Sequence, residues 1–364
     1  MAVYKIFADK DASINSYFPL INTGKDEILD LSLYKSIEGT GEVSRMLVNF
    51  PYSDINSIVN TKIISKPYKA YIKLYNAASN EVPANYTIYC YPLTSSWTMG
   101  TGRSADIPNP KNGVSWTFKD YFQSELFTAS GSNVTSSYST NIGGGGWSTV
   151  ANYAASQSFG PLSNKDIELD VTNYIIVSLF NSSLYNGFII KHSDFLEFKT
   201  GSLFETKYFS VDTHTIYPPC LEIRWDDSGY VGTSNLSIVS SLDNKVISLS
   251  NNKGEFKDDE IHRFRVNIRD KYPTRTFQTS SVYLNNNIFP ISSSVYAIKD
   301  IKTDEFVIDF DSNYTKLSAD STGNYFDLYL NGLQPERYYK VLIKSTIGNN
   351  SVVYEDNNYF KVIK

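Results

Sequence analysis

Short stretches of strict apolar–polar alternation recur along most of this chain. Leu29, Leu31 and Leu33 alternate with Asp30, Ser32 and Tyr34; Met46, Val48 and Phe50 follow, then Ile72 and Leu74, then Tyr86, Ile88 and Cys90. A period of two sends successive side chains to opposite faces of an extended chain, so each stretch predicts a half-buried strand. The pattern is clearest where Phe264, Val266 and Ile268 oppose Arg263, Arg265 and Arg269, and where Leu221, Ile223 and Trp225 oppose Glu222, Arg224 and Asp226. Apolar groups then line a core and charged groups meet water. Helical periodicity is scarce. One short helix is expected from 172 to about 184, capped by Asp170 or Thr172, with Ile175, Ile176, Leu179 and Phe180 on its buried face. A further short turn is expected at 53–59. Many short strands with turn residues between them predict an all-β chain of sandwiches or jelly rolls.

The 364 residues suffice for two domains, each with its own core. The stretch Asp-Asp-Ser-Gly-Tyr-Val-Gly-Thr-Ser-Asn at 226–235 follows a strand and has no alternation, which places the first domain at 1–228 and the second at 236–364. Residues 128–158, rich in Ser, Gly, Asn and Thr, read as a long loop, and the glycine run at 143–146 as its flexible part.

With 28 Tyr and 21 Phe the chain is no disordered segment. Its apolar runs, such as 175–180, stop far short of the roughly 20 residues of a membrane helix. Residues 1–10 carry Lys5, Asp9 and Lys10 and read as a first strand rather than a leader. A net charge of −5 argues against nucleic acid as partner. Residues 233–364 hold 16 basic and 16 acidic side chains, so the acidic excess belongs to the first 232. Cys90 and Cys220 are too few for a disulfide framework and read as small buried hydrophobes.

No chemistry-bearing motif accompanies the three histidines, His192, His214 and His262, which read as surface or core-edge residues. The glycine run lacks the Lys-Ser/Thr of a phosphate cradle. Asp166, Glu168 and Asp170, and likewise Asp309 and Asp311, have the spacing of solvated strand faces, and no enzyme activity is expected from them. Asp9 with Asp11, Asp26 with Glu27, Asp226 with Asp227 and Asp258 with Asp259 offer oxygen ligands for a structural calcium, without EF-hand spacing. Sequons at Asn85, Asn133, Asn181, Asn235 and Asn313 are expected by chance in so Asn- and Ser-rich a chain.

From residue 8 to 226 the order of segments resembles the DNRLRE-type jelly-roll family. Those segments are Asp-Ala-Ser-Ile at 11–14, 16–24 with its Asn-x-Gly turn, 27–33, Ser-Arg-Met-Leu-Val-Asn-Phe at 44–50, Asp-Ile at 54–55 and 70–75. Leu-Thr-Ser-Ser-Trp-Thr-Met-Gly at 93–100 matches the family's tryptophan segment. Gly-Val-Ser-Trp-Thr-Phe at 113–118, the glycine run ending in Trp147, and Ile-Glu-Leu-Asp-Val-Thr at 167–172 resemble the branch found in tailed-phage virion proteins. Asn-Gly-Phe-Ile-Ile-Lys at 186–191 and Pro-Pro-Cys-Leu-Glu-Ile-Arg-Trp at 218–225 close the module. The loop at 118–160 is longer than a minimal module needs. Residues 330–344, with a Leu-x-Pro turn and a tyrosine before an alternating strand, resemble the later strands of immunoglobulin-like sandwiches.

The resemblance implies a structural protein of a tailed-phage virion, attached at head, neck or tail in multiple copies and acting on other virion proteins without nucleic acid, membrane or cofactor. It also leaves a carbohydrate-binding adhesion module open, with polysaccharide as partner. In either case Trp97, Trp116 and Trp147 are the candidate contact residues.

Overall fold

The computed structural model describes residues 2–35, 41–127, 134–136, 143–198, 203–231, 236–272, 287–355 and 358–364. The chain is all-β in character and built of sandwiched sheets, with short helices at the edges. It falls into two compact units: a larger one of residues 6–64 and 69–222, and a smaller one of residues 1–5, 65–68 and 223–364.

In the larger unit the main sheet has the order Ala155–Phe159, Tyr86–Pro92, Phe188–His192, Gly41–Asn49, Ile28–Lys35, Leu203–Phe209 and Asn76–Asn80, and Lys10–Asn15 also pairs with Gly41–Asn49. Gly41–Asn49 is its pivot. Its first residues pair with Ile28–Lys35, and its later ones with Lys10–Asn15 on one side and Phe188–His192 on the other. That change of partners curls the sheet and buries both faces of the strand, so Ser44 and Arg45 are as enclosed as Met46 and Leu47. A second sheet pairs Ile167–Asp170 with Tyr68–Leu74, Ile167 opposite Leu74 and Asp170 opposite Tyr71. Glu222, expected in water, is buried with Lys73 3.2 Å away.

The smaller unit packs two six-stranded sheets. One is centred on Ile261–Asp270 and Gly323–Tyr329, the other on Arg337–Ile347 and Ser294–Asp300. Phe264, Val266 and Ile268 face inward as the alternation requires, and Phe326 and Tyr296 stack at 4.2 Å across the core. The Tyr339 hydroxyl donates back to Gln334 O at 3.0 Å, which pins the Leu-x-Pro turn before its strand. Residues 1–5 belong with this unit because Val3 enters its core, Lys5 Nζ donates to Val307 O at 3.0 Å and Asn331 Nδ2 donates to Lys5 O at 2.6 Å.

Three α-helices lie among the described residues: Tyr52–Ile58, Thr172–Phe180 and Asp194–Phe198. The first continues into a π-helical turn, Val59–Ile63. The second ends at Phe180, and Ser182–Leu184 form a separate 3-10 turn. Its buried face is Thr172, Tyr174, Ile175 and Ser178, which shares Ile175 alone with the expected one. Ile176 is 38% exposed and Phe180 88%. Hydrogen bonding decides the rotation: Thr172 Oγ1 accepts from Ala70 N at 2.9 Å and the Tyr174 hydroxyl reaches Leu184 O at 2.6 Å. The sequence offered no periodic signal for Asp194–Phe198.

Candidate functional site

The segments that carry the family likeness assemble in the larger unit around two buried polar centres. The first is Asn22, which is fully enclosed. Its Nδ2 donates to Met99 O and Val114 O, both at 2.7 Å, and its Oδ1 accepts from Gly102 N at 2.8 Å. One side chain thereby satisfies three backbone groups of the stretch 99–114, far from it along the chain, as a buried amide must. The surrounding glycines are required by proximity. A Cβ on Gly24 would lie 2.1 Å from Met99 O, and one on Gly113, whose φ is +72°, 2.3 Å from Gly100 Cα. This is the physical content of the Asn-x-Gly turn and of the Trp-Thr-Met-Gly segment. Trp97 is held nearby, its Nε1 donating to Asn186 O at 3.2 Å and the Lys10 ammonium lying 4.8 Å from its ring centre.

The second centre is Arg45. Its guanidinium lies 4.8 Å from the ring centre of Trp116 and 4.9 Å from that of Trp147. Nε and Nη2 grip the Glu197 carboxylate at 3.3 and 2.8 Å, and Nη1 donates to Gly144 O. Lys191, also buried, lies 3.2 Å from Glu197, 2.6 Å from Asp194 and 5.2 Å from the Trp147 ring centre. Two cations thus meet two carboxylates in a site where Arg45 and Glu197 have almost no contact with water. The helix Asp194–Phe198 exists to deliver Glu197 to this point.

Trp97, Trp116 and Trp147 are 4%, 6% and 3% exposed. The structure brings Trp116 and Trp147 together and leaves Trp97 at a separate point, and it corrects the expectation that these rings offer contact platforms. Burial and neighbouring cations leave them nothing to present to a sugar or a partner protein. The glycine run is likewise no flexible loop. Gly143, Gly144 and Gly145 are buried with φ of +87°, +77° and +85°, and a Cβ on Gly143 would lie 2.8 Å from the Trp116 ring. Of the longer loop at 118–160, residues 128–133 and 137–142 lie outside the described residues, as do Asn133, Asn235 and residues 232–235 of the expected boundary.

The remaining candidates scatter. His192 is buried edge-on against Phe204 at 4.1 Å, and burial pulls its pKa down to about 4. His214 is exposed, 3.7 Å from Glu27, and His262 Nε2 lies 2.8 Å from Asn251 O. Cys90 and Cys220 are buried free thiols, and burial pushes the Cys90 thiol far up. Asp11 is buried and accepts from Val211 N at 2.7 Å; burial raises its pKa to about 7. Asp226 accepts from Ser228 N at 2.8 Å and lies 3.4 Å from Lys316, so it is engaged in a turn and an ion pair. Among the described residues no three His, Cys, Asp or Glu side chains come close enough to hold a metal ion.

A feature with no signal in the sequence is a cavity of about 460 Å³ in the larger unit, whose walls come from residues as far apart as Ser13 and Lys207. Its lining includes the apolar Phe18, Ile21 and Ile28 and the acidic Asp26, Glu27 and Asp30. Burial raises the pKa of both Asp26 and Asp30.

No family model matches this chain, and no curated protein does. Among solved structures, a DUF4785 family protein from Legionella pneumophila aligns at 7% identity over 100% of this chain and 62% of its own length, with a TM-score of 0.18. The chain therefore spans less than two thirds of that protein, and a TM-score so low carries no argument about fold or function.

Proposed function

We propose that this chain is a structural protein of a tailed-phage virion, a head, neck or tail attachment or decoration protein that works through protein–protein contacts. The observation that carries this reading is the partition of the larger unit's aromatic residues. The tryptophans that resemble the phage branch are framework, while Tyr17, Phe18, Leu20, Phe122, Phe180 and Phe195 stand in water. Tyr17 and Phe18 pack edge to face at 4.9 Å beside Leu20, so the loop holds an ordered apolar surface. Burying a large apolar side chain contributes about 1.5–3 kcal/mol, and exposed apolar clusters of this kind serve contacts between proteins.

Mass spectrometry and immunogold labelling of purified particles of the phage that encodes the chain test the reading. Stoichiometric copies at a fixed position are expected, and absence from purified virions overturns it. The carbohydrate-binding alternative loses its three tryptophan platforms to burial. It would have to use exposed rings such as Phe18, and a glycan array read with Trp147→Ala and Phe18→Ala separates the two surfaces.

A further inference from the structure

The cavity beside Phe18 presents hydrogen-bond acceptors, and most of the donors beside them are already committed. The Ser32 and Ser44 hydroxyls serve Asp30 Oδ2 at 2.9 and 3.2 Å. The Thr23 hydroxyl donates to Ser13 O, the Asn15 amide to Glu42, and Ser104 N to Asp26. Lys207, the cation among the lining residues, is turned to Glu205 at 2.6 Å. Asp30 Oδ1 is buried with no hydrogen-bond partner among the described residues, so its negative charge acts on the cavity through a low-dielectric wall. The Glu27 side chain remains about half exposed at the mouth. Three carboxylates against one ammonium, with Phe18, Ile21 and Ile28 in the same lining, describe a site that wants donors, positive charge and a short apolar body together.

We propose that this cavity receives a guanidinium or ammonium group carried on an aliphatic stem. A saccharide fits less well, because it offers acceptors as often as donors and few donors of the wall remain to answer them. A guanidinium is donor-only, and its stem covers the apolar wall while Phe18 can take its face. The same chemistry arises from a basic side chain of a partner protein or from a free amine. The inference stands on the cavity alone and does not depend on the virion reading.

Calorimetric titration of the full chain with three probes decides it: agmatine, a capped Gly-Arg-Gly peptide, and the same peptide with neutral citrulline in place of arginine. Saturable binding of agmatine or the arginine peptide is expected, with the citrulline peptide about tenfold weaker or more. Preference for the peptide identifies a partner's side chain, and preference for agmatine a free amine. Glu27→Gln, at an exposed position, is expected to weaken binding about threefold, and Lys207→Gln to strengthen it by a similar factor. Loss of fold cannot produce opposite signs in two variants. Absence of saturable binding by both cationic probes, equal binding of the citrulline peptide, or indifference to both substitutions overturns the proposal.

Discussion

Each unit contains an arginine set against an aromatic ring and a carboxylate, and the two assemblies differ chiefly in their access to water. In the larger unit Arg45 lies between Trp116 and Trp147 and grips Glu197 with both partners sealed from solvent. In the smaller unit Arg263 and Arg265 lie 4.1 and 5.6 Å from the Tyr325 ring centre and pair with Asp327 and Asp320 on an open strand face. The chemistry is the same, but in water the Coulomb attraction is largely screened, whereas inside it is strong and the cost of an unpaired charge is large. The buried assembly therefore behaves as a register pin: any arrangement that separates Arg45 from Glu197 takes the guanidinium from its bidentate partner and leaves the buried carboxylate with Lys191 alone. The exposed ladder adds solubility and modest cross-strand support.

The largest effect is expected on breaking the buried assembly. Arg45→Ala should cost about 3 kcal/mol in denaturant unfolding, because it removes the bidentate partner of buried Glu197 and leaves it Lys191 alone. Acid titration of stability comes next. His192 is held neutral, with its pKa pulled to about 4, while an unfolded histidine takes up a proton near 6.5. The unfolded chain thus binds more protons in that window, and stability falls as pH drops from about 6.5 towards 4, on the order of 3 kcal/mol. His192→Phe should flatten this slope. Asp11 acts with the opposite sign: its folded pKa, about 7, lies above that of the unfolded aspartate, so its contribution is lost as pH rises from about 4 to 7. Asp11→Asn should remove that loss.

Gly143→Ala and Gly254→Ala compare the units at the level of the backbone. Both glycines have φ near +85°, but a Cβ on Gly143 would abut Trp116, whereas one on Gly254 would meet nothing within 4 Å. Gly254→Ala should cost about 1 kcal/mol for conformation alone, and Gly143→Ala about 1–3 kcal/mol more, read as a difference in unfolding midpoints. The smallest effect belongs to the exposed ladder. Arg263→Ala should change stability by no more than about 1 kcal/mol, and about 1 M salt should erase most of it while leaving the Arg45 effect in place.

What the sequence made legible were the features that depend on near neighbours. Alternation located Phe264, Val266 and Ile268, and turn chemistry marked the Asn-x-Gly and Leu-x-Pro corners. It failed where distant segments decide. Glu222 looked solvated because its own strand alternates, yet it is buried beside Lys73. The glycine run looked flexible because composition does not reveal that Trp116 lies against it. Thr172–Phe180 was a correct element with its face rotated by hydrogen bonds to Ala70 and Leu184. The cavity was invisible because its walls converge only after the sheet curls.

The central claim is that the tryptophans form the framework and leave contact to other side chains. Quenching of native tryptophan fluorescence by iodide tests it directly, since all four tryptophans, Trp97, Trp116, Trp147 and Trp225, are at most 6% exposed. The account predicts blue-shifted emission, weak quenching, and no change on adding saccharides. Strong quenching in the folded protein, relieved by a bound glycan, would contradict it.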